Sequence, residues 1–175
     1  PDPVKIMSNV KSVSAGFAHT MIVKEDGTLW AAGQNTYGQL GNRDGSGSSD
    51  PNPDPVQITS LGSDVKSVSA GYAHTMIVKE DGTLWAAGNN VFGQLGNGDG
   101  SGSSDPNPDP VQITSLGSDV KSVSAGYAHT MIVKEDGTLW AAGWNHLGQL
   151  GNGKRSGNTP HPVPVQILLP EESAP

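Results

Sequence analysis

The sequence contains no cysteine, which excludes disulfide bonds and thiolate metal sites. Basic residues are also scarce, with 10 lysines and arginines against 17 acidic residues and a net charge of −7. Such a surface repels phosphate backbones, so we expect no nucleic-acid partner. No apolar run approaches the roughly 18 residues of a membrane span, so we expect no membrane-spanning segment.

These absences do not identify the cellular compartment of the protein. A chain without cysteine fits an exported protein and a cytosolic one alike. The sequence opens on Pro1-Asp2-Pro3 with no signal peptide, so any export signal would lie outside it. We favour an extracellular or cell-surface location slightly over a cytoplasmic one.

An internal repeat is the main feature that is present. Trp30, Trp85 and Trp140 follow one another at intervals of 55 residues. The segment 10–33 reads VKSVSAGFAHTMIVKEDGTLWAAG, and 65–88 and 120–143 repeat it with only Phe17 changed to tyrosine. A repeat of this length is typical of propellers and solenoids, in which each unit packs on its neighbours.

Each repeat contains four short apolar segments. The first, Pro55–Ile58, is entered by prolines and is expected at a sheet edge. The others are Val65–Ala70, His74–Lys79 and Thr83–Ala87, rich in strand-forming residues and bounded by glycine. Asp81-Gly82 between the last two predicts a hairpin with a type I′ turn, and the same dipeptide recurs in the other repeats.

We therefore predict an all-β fold, with residues 1–175 as a single domain of three four-stranded antiparallel β-propeller blades. The expected repeats are 3–54, 55–109 and 110–162, the first opening with a strand at 3–6. An extra closing strand is expected at 163–169. Three blades are too few to close a ring, so the array is open and exposes strand edges at both ends.

Several motifs resemble those of the regulator-of-chromosome-condensation repeat family: Gly38-Gln-Leu-Gly41, Asp26-Gly-Thr-Leu-Trp30 and Gly16-x-x-His19-Thr20. The resemblance implies a propeller of four-stranded blades, usually about seven in number. The segment 26–35, DGTLWAAGQN, is most similar to bacterial members such as the β-lactamase inhibitory protein II, which binds enzymes through loops on one face. The founding member is a nucleotide-exchange factor on chromatin, a role that the acidic composition here disfavours.

The open array leaves three alternatives for the whole protein. Nearly identical blades allow the contact between blades of one chain to recur between chains, which favours a homo-oligomer, and we expect a dimeric ring. A non-closing contact would instead give a filament. The chain is otherwise a fragment of a longer propeller with an unknown role.

Apart from the long loop of the third repeat, which loses its acidic residues, variation between the repeats is concentrated in one short window before the Gly-Gln-Leu-Gly motif. The conserved asparagine in it is expected to cap the local turn. Variation at one loop on a copied scaffold predicts a non-catalytic, protein-binding face, because loops on rigid scaffolds carry recognition. The alternative is that some of these side chains fill the gap over the next blade. The candidate partner-binding residues are Gln34, Thr36, Tyr37, Asn89, Val91, Phe92, Trp144, His146 and Leu147.

A calcium site is a weak second candidate. Alternating oxygen ligands occur at Asp50, Asn52 and Asp54, and again at Asp105, Asn107 and Asp109. Proline stands at the sixth position, where a calcium loop needs glycine, and no glutamate follows at the twelfth. The sequence therefore favours a solvated loop over calcium binding.

No catalytic motif is recognisable. The repeated histidines His19, His74 and His129 invite a metal, but their place at a strand start favours hydrogen-bonded structural imidazoles. Serine nucleophile, zinc and phosphate-loop signatures do not occur in the sequence. We expect no cofactor and no enzymatic activity, with carboxylates assembled across blades as the remaining route to catalysis.

Overall fold

The computed structural model describes residues 2–98, 102 and 104–168. Within that part, twelve strands form three four-stranded antiparallel sheets, and no α-helix occurs. The predicted all-β class and three open four-stranded units are therefore confirmed. None of the helical segments in these residues has the length and apolar character needed to cross a membrane.

Each sheet is an up-and-down meander in which consecutive strands pair. Sheet 1 consists of β1 (Val10–Ala15), β2 (His19–Lys24), β3 (Leu29–Gly33) and β4 (Asn52–Gln57). Sheet 2 consists of β5 (Val65–Ala70), β6 (His74–Lys79), β7 (Leu84–Gly88) and β8 (Val111–Gln112). Sheet 3 consists of β9 (Val120–Ala125), β10 (His129–Lys134), β11 (Leu139–Gly143) and β12 (Val165–Ile167). Short 3-10 turns at Thr59–Leu61 and Thr114–Leu116 connect successive sheets.

The proline-entered strand belongs to the sheet before it, which differs from the predicted repeat boundaries. Gln57 pairs with Trp30 and Val56 with Ala31, so β4 is the last strand of sheet 1. The sheets span 10–57, 65–112 and 120–167, whereas the sequence repeats are 3–54, 55–109 and 110–162. Proline places a strand at an edge, but it does not say which of two neighbouring sheets the strand joins.

The first and last predicted strands also differ from the prediction, because the proline-entered segment completes the sheet before it and does not begin the next one. Residues 3–6 do not form a strand. In the segment 163–169, β12 pairs with β11 and completes sheet 3 instead of adding an extra strand. Residue 169 lies outside the described residues.

The Asp-Gly hairpins form, but their turn type differs from the prediction. Gly27 has a φ of +77°, whereas Asp26 does not have a positive φ, so the turn is not type I′. The Gly27 amide donates to the Lys24 carbonyl at 3.0 Å, and Lys24 pairs with Thr28. This is the three-residue hairpin loop with a glycine bulge. The Asp26 carboxylate accepts hydrogen bonds from the Thr28 hydroxyl and amide, which lower its pKa.

The core consists of two apolar clusters, one between each pair of neighbouring sheets. Between sheets 1 and 2, Met21 and Leu29 pack against Val65 and Ile77. Between sheets 2 and 3, the residues 55 positions further on form the second cluster, including Met76, Leu84, Val120 and Ile132. Each sheet therefore buries its apolar side chains by facing a copy of itself, as stacked blades do.

Candidate protein-binding face

The turns between the first two strands of each sheet lie at one end of the stack, which we call the loop face. Each turn begins with a glycine on which the histidine three residues later packs. A Cβ on Gly71 would lie 2.5 Å from His74 Cε1 and 2.6 Å from the Gly126 carbonyl oxygen. Only glycine therefore fits here, which explains the Gly-x-x-His spacing of the repeat.

The histidines bind the neighbouring sheet through a threonine. The Thr75 hydroxyl donates to the Gln39 carbonyl at 2.7 Å and lies 2.9 Å from His19 Nε2. Because the hydroxyl has one hydrogen, it accepts a hydrogen bond from His19, so Nε2 of that ring carries a proton. His74 makes the same contact with Thr130 at 3.0 Å. His19 and His74 are thus hydrogen-bonded structural imidazoles, as their position in the sequence predicts.

Burial keeps these rings neutral. Desolvation lowers the pKa of His19 to about 4. Desolvation, aided by the neighbouring histidines, lowers the pKa of His74 to about 3. His129 is half-buried, and its pKa is lowered by desolvation as well. Neutral, threonine-bound rings are suited to holding sheets together.

The middle residue of each turn is aromatic, and the three rings form a continuous row. Phe17 stacks on Tyr72, and Tyr72 lies against Tyr127, with ring centroids 4.4 Å apart in both pairs. Phe17 and Tyr127 are 70% and 59% exposed, so the row presents aromatic surface to solvent. Exposed, stacked aromatic side chains are characteristic of binding surfaces.

The variable windows lie directly beside this row. The backbone amide of Gln34 donates to the Ala18 carbonyl at 2.8 Å, and the backbone amides of Asn89 and Trp144 make the equivalent bonds one and two repeats later. The constant asparagine of each window is buried and organises its loop: Asn35 Oδ1 accepts from the Leu40 amide at 3.0 Å. Its Nδ2 donates to the Asp44 carbonyl at 2.9 Å. The windows are therefore fixed in shape while their flanking side chains vary.

A groove of about 150 Å³ opens between the windows of sheets 1 and 2 and the aromatic row. Four predicted residues line it, together with two tyrosines of the row: Tyr37, Asn89, Val91, Phe92, Tyr72 and Tyr127. The loop is held by glutamine and asparagine side chains. Gln94 Oε1 accepts from the Phe92 amide at 2.9 Å, and its amide donates to Asn89 Oδ1 at 2.7 Å.

Three further predicted residues lie around the groove. Trp144 packs on Phe92 at 5.4 Å and on Tyr127 at 6.4 Å, which extends the aromatic surface over sheet 3. His146 stacks on Trp144, with ring planes 6° apart. Leu147 is 68% exposed.

Two predicted residues lie away from the groove. Gln34 donates to the Thr36 hydroxyl at 3.1 Å, and Thr36 donates to the Ser48 carbonyl at 3.0 Å. Both side chains therefore support the long loop of sheet 1.

Sequence reasoning missed the tyrosines of the row. Tyr72 and Tyr127 lie in the segment that is nearly identical in all repeats, so differences between the repeats do not mark them. The available signal was an aromatic residue directly after a turn glycine, where neighbouring strands give it nothing to pack on.

Several of the six calcium candidates make ion pairs or hydrogen bonds within the loops, or lie on a strand. Arg43 forms a bidentate pair with Asp109, with Nε 2.9 Å from Oδ1. The Asn107 amide donates to the Gly88 carbonyl at 2.9 Å, and Asn52 and Asp54 lie on β4. Asp50 and Asp105 are exposed in the loops before these positions. Among the described residues, no three histidine or acidic side chains are grouped closely enough to hold a metal.

Comparison with known proteins identifies the repeat. The model described as "Regulator of chromosome condensation (RCC1) repeat" matches residues 26–78, 81–133 and 136–173. A second model of the same description matches 10–39, 65–94 and 120–149.

Characterised relatives are considerably longer than this chain. The ultraviolet-B receptor UVR8 of Arabidopsis thaliana is 35% identical over 165 residues, which are 93% of this chain and 35% of the receptor. Human protein RCC2 is 34% identical over 146 residues, or 82% of this chain and 27% of RCC2. The chain thus spans about a third or less of the length of these relatives.

The same fold occurs in a solved structure. Prp20p from Saccharomyces cerevisiae superimposes with a TM-score of 0.79 at 22% identity, over 92% of this chain and 39% of Prp20p. The repeat models cover most of the chain, and the sheets stack as β-propeller blades. The chain therefore belongs to the regulator of chromosome condensation (RCC1) repeat family.

Proposed function

We propose that this chain is a non-catalytic β-propeller scaffold that binds a protein partner through its loop face. The observation that carries the proposal is the groove at which the variable windows of two sheets meet the aromatic row. Aromatic side chains in partly enclosed pockets are the usual anchors of protein interfaces. The rigid blades below hold these side chains in place before the partner arrives, which reduces the entropy lost on binding.

The relatives support a binding role without specifying the partner. The structure of Prp20p is described together with its binding properties to Gsp1p and histones, so a propeller of this fold presents surfaces to proteins. The groove here is lined by aromatic, aliphatic and amide side chains. We therefore propose a partner that inserts an apolar side chain, and we assign no reaction to the groove.

The test is a double substitution of the two aromatic residues at the edge of the groove. A displayed peptide library is first selected on the wild-type protein, and the affinity of the selected peptides is then measured. Phe92→Ala with Trp144→Ala should weaken binding by at least about 30-fold, because anchors of this kind contribute about 2 kcal/mol or more.

The matched control is Thr59→Ala with Thr114→Ala, two exposed positions at the opposite end of the sheets. Its affinity should equal that of the wild type, and both variants should retain the wild-type unfolding midpoint. Undiminished binding by the folded aromatic variant would show that the loop face is not the recognition surface.

We also propose that the scaffold acts as a homo-oligomer, with a dimer favoured. The support is that equivalent side chains form the contact between sheets 1 and 2 and the contact between sheets 2 and 3, so the chain carries surfaces that pack on copies of themselves.

A further inference from the structure

The long loop of sheet 1 holds two carboxylates beside the first variable window. The backbone carbonyl of Asp44 accepts a hydrogen bond from Asn35 Nδ2 at 2.9 Å. The Thr36 hydroxyl donates to the Ser48 carbonyl at 3.0 Å, and Asp50 follows two residues later in the same loop. Both acidic residues are therefore carried by the loop that supports the first window.

The long loop of sheet 2 places another carboxylate on the same side of the groove. The backbone amide of Asn107 donates to the Tyr37 carbonyl at 3.0 Å, and its side-chain Nδ2 donates to the Asp105 carbonyl at 3.2 Å. The Gly102 amide of the same loop donates to the Val91 carbonyl at 2.8 Å. Because Tyr37 and Val91 line the groove, the loop that carries Asp105 is attached to the groove at two points.

The two long loops, 42–54 and 97–109, carry a net negative charge. Their only basic residue is Arg43. Its guanidinium forms a bidentate pair with the Asp109 carboxylate, with Nε 2.9 Å from Oδ1, so its charge is already matched. Three exposed carboxylates beside the windows form what we call the acidic rim: Asp44, Asp50 and Asp105.

The groove inside this rim is uncharged. The described residues that line it are tyrosine, phenylalanine, alanine, valine, asparagine and glutamine, and none of them is ionised at neutral pH. A charged side chain inserted there would lose its hydration without gaining a counter-charge. The groove therefore fits an apolar side chain, whereas the rim fits basic side chains on either side of it.

The third repeat does not continue the acidic rim. Its loop, 152–164, contains two basic residues and no acidic residue. Asn145 Nδ2 donates to the Lys154 carbonyl at 3.0 Å, which is the bond that Asn35 makes with Asp44 one hundred and ten residues earlier. A lysine thus takes the place of an aspartate beside the third window. The negative charge is confined to the loops of sheets 1 and 2, whose windows border the groove.

From the uncharged groove and its acidic rim we infer that the partner presents a peptide segment with an apolar anchor side chain flanked by lysine or arginine. The inference rests on the proposed binding function and specifies the chemistry of the partner. The anchor enters the groove, and the flanking basic side chains lie over the acidic rim. Complementary charges at the edge of an interface accelerate association and select among partners.

Peptides that differ only in the charge of their flanks test this inference on the wild-type protein. Three synthetic pools share a randomised apolar residue at the centre, and its neighbours are lysine and arginine, glutamate and aspartate, or glycine and serine. Fluorescence anisotropy measures the affinity of each pool for the full chain at low and at high salt. We expect the basic pool to bind about 10-fold more tightly than the neutral pool at low salt, because several exposed charge pairs add together. The acidic pool should bind most weakly, and high salt should reduce the differences, since it screens exposed charges.

Charge-neutralising variants test whether the acidic rim causes this preference. One triple variant removes the rim: Asp44→Asn, Asp50→Asn and Asp105→Asn. It should bind the basic and the neutral pools with similar affinity. The matched control removes three exposed glutamates from the hairpins at the opposite end of the sheets: Glu25→Gln, Glu80→Gln and Glu135→Gln. The control changes the net charge by the same amount and should keep the preference for the basic pool, and both variants should keep the wild-type unfolding midpoint.

The outcomes distinguish this inference from the proposed function. Equal affinities of the wild type for the three pools, all of them lost in Phe92→Ala/Trp144→Ala, would overturn the basic flanks and leave the binding groove in place. A preference that falls equally in both triple variants would reflect net charge alone and would overturn the role of the rim. No binding by any pool, or binding that Phe92→Ala/Trp144→Ala does not weaken, would overturn the inference together with the proposed function.

Discussion

At the scale of single residues, the repeated histidines show how one short motif connects two sheets. The glycine at the start of the turn lets the ring lie against the backbone, and the ring Nε2 then reaches the threonine of the next sheet. The threonine hydroxyl donates its only hydrogen to the backbone carbonyl of a glutamine, so it can only accept from the histidine, and the direction of each hydrogen bond is fixed. The cost of this arrangement is a buried imidazole that has to remain neutral.

The pH dependence of stability should report that cost. A histidine in the unfolded chain binds a proton below about pH 6.5, whereas His74 in the folded protein, with a pKa of about 3, does not. The stabilising effect is complete above pH 6.5 and decreases by about 1.4 kcal/mol per pH unit as the pH falls toward 3. Urea unfolding should therefore show a loss of about 2 kcal/mol from His74 between pH 7 and pH 5.

The variant His74→Gln isolates this contribution, because glutamine can donate a hydrogen bond but does not titrate. We expect its stability to fall less steeply than that of the wild type between pH 7 and pH 5. The window lies above the range in which Asp26 and its equivalents titrate, since hydrogen bonds from threonine lower their pKa. Equal slopes for the variant and the wild type would show that His74 is not held neutral by burial.

At the scale of elements, the β2–β3 and β6–β7 hairpins contribute to packing between sheets as well as to chain reversal. The Gly82 carbonyl accepts a hydrogen bond from the Val120 amide at 3.0 Å, and Ser118 covers its Cα. Glycine is thus required twice at this position, by the positive φ of +78° and by the close approach of the next sheet.

Alanine substitutions can separate these two requirements. Gly82→Ala should destabilise the protein by about 1–3 kcal/mol more than Gly137→Ala, the difference being the cost of overpacking. Gly137 occupies the same turn position with a φ of +83°, but no described atom lies within 4 Å of its new Cβ. Denaturant unfolding of both variants measures the difference, and equal destabilisation would mean that the hairpin does not press on the next sheet.

The elements also show what the sequence could and could not specify. The strands and hairpins were predictable, because glycine punctuation and strand-forming residues recur at the same positions in every repeat. The sheet to which 55–58 belongs was not predictable, since strand pairing is a non-local choice between two available edges. The turn type was wrong because Asp-Gly is compatible with two hairpin geometries.

The candidate site was predictable only in part, for a related reason. The variable windows pointed to Tyr37, Asn89, Val91 and Phe92, because differences between copies are visible in one sequence. The tyrosines beside them are the same in both later repeats, so only the folded structure shows that they line the groove.

At the scale of the whole molecule, the stack separates a constant scaffold from a variable face. Each interface uses the same apolar cluster, histidine–threonine bond and backbone contacts, so stability comes from identical residues in every repeat. The differences are displayed at one end, beside aromatic side chains that the scaffold holds in a row. This division is what a binding module built from repeats requires.

Site-specific photo-crosslinking in cells that produce the protein tests the central claim most directly. A benzophenone amino acid in place of Val91 should form protein adducts, and added wild-type protein, but not the Phe92→Ala/Trp144→Ala variant, should compete for them. The same group in place of Thr59, at the opposite end of sheet 1, should form none of these adducts. Identical adducts at both positions, or no protein adduct at position 91, would contradict a protein-binding loop face.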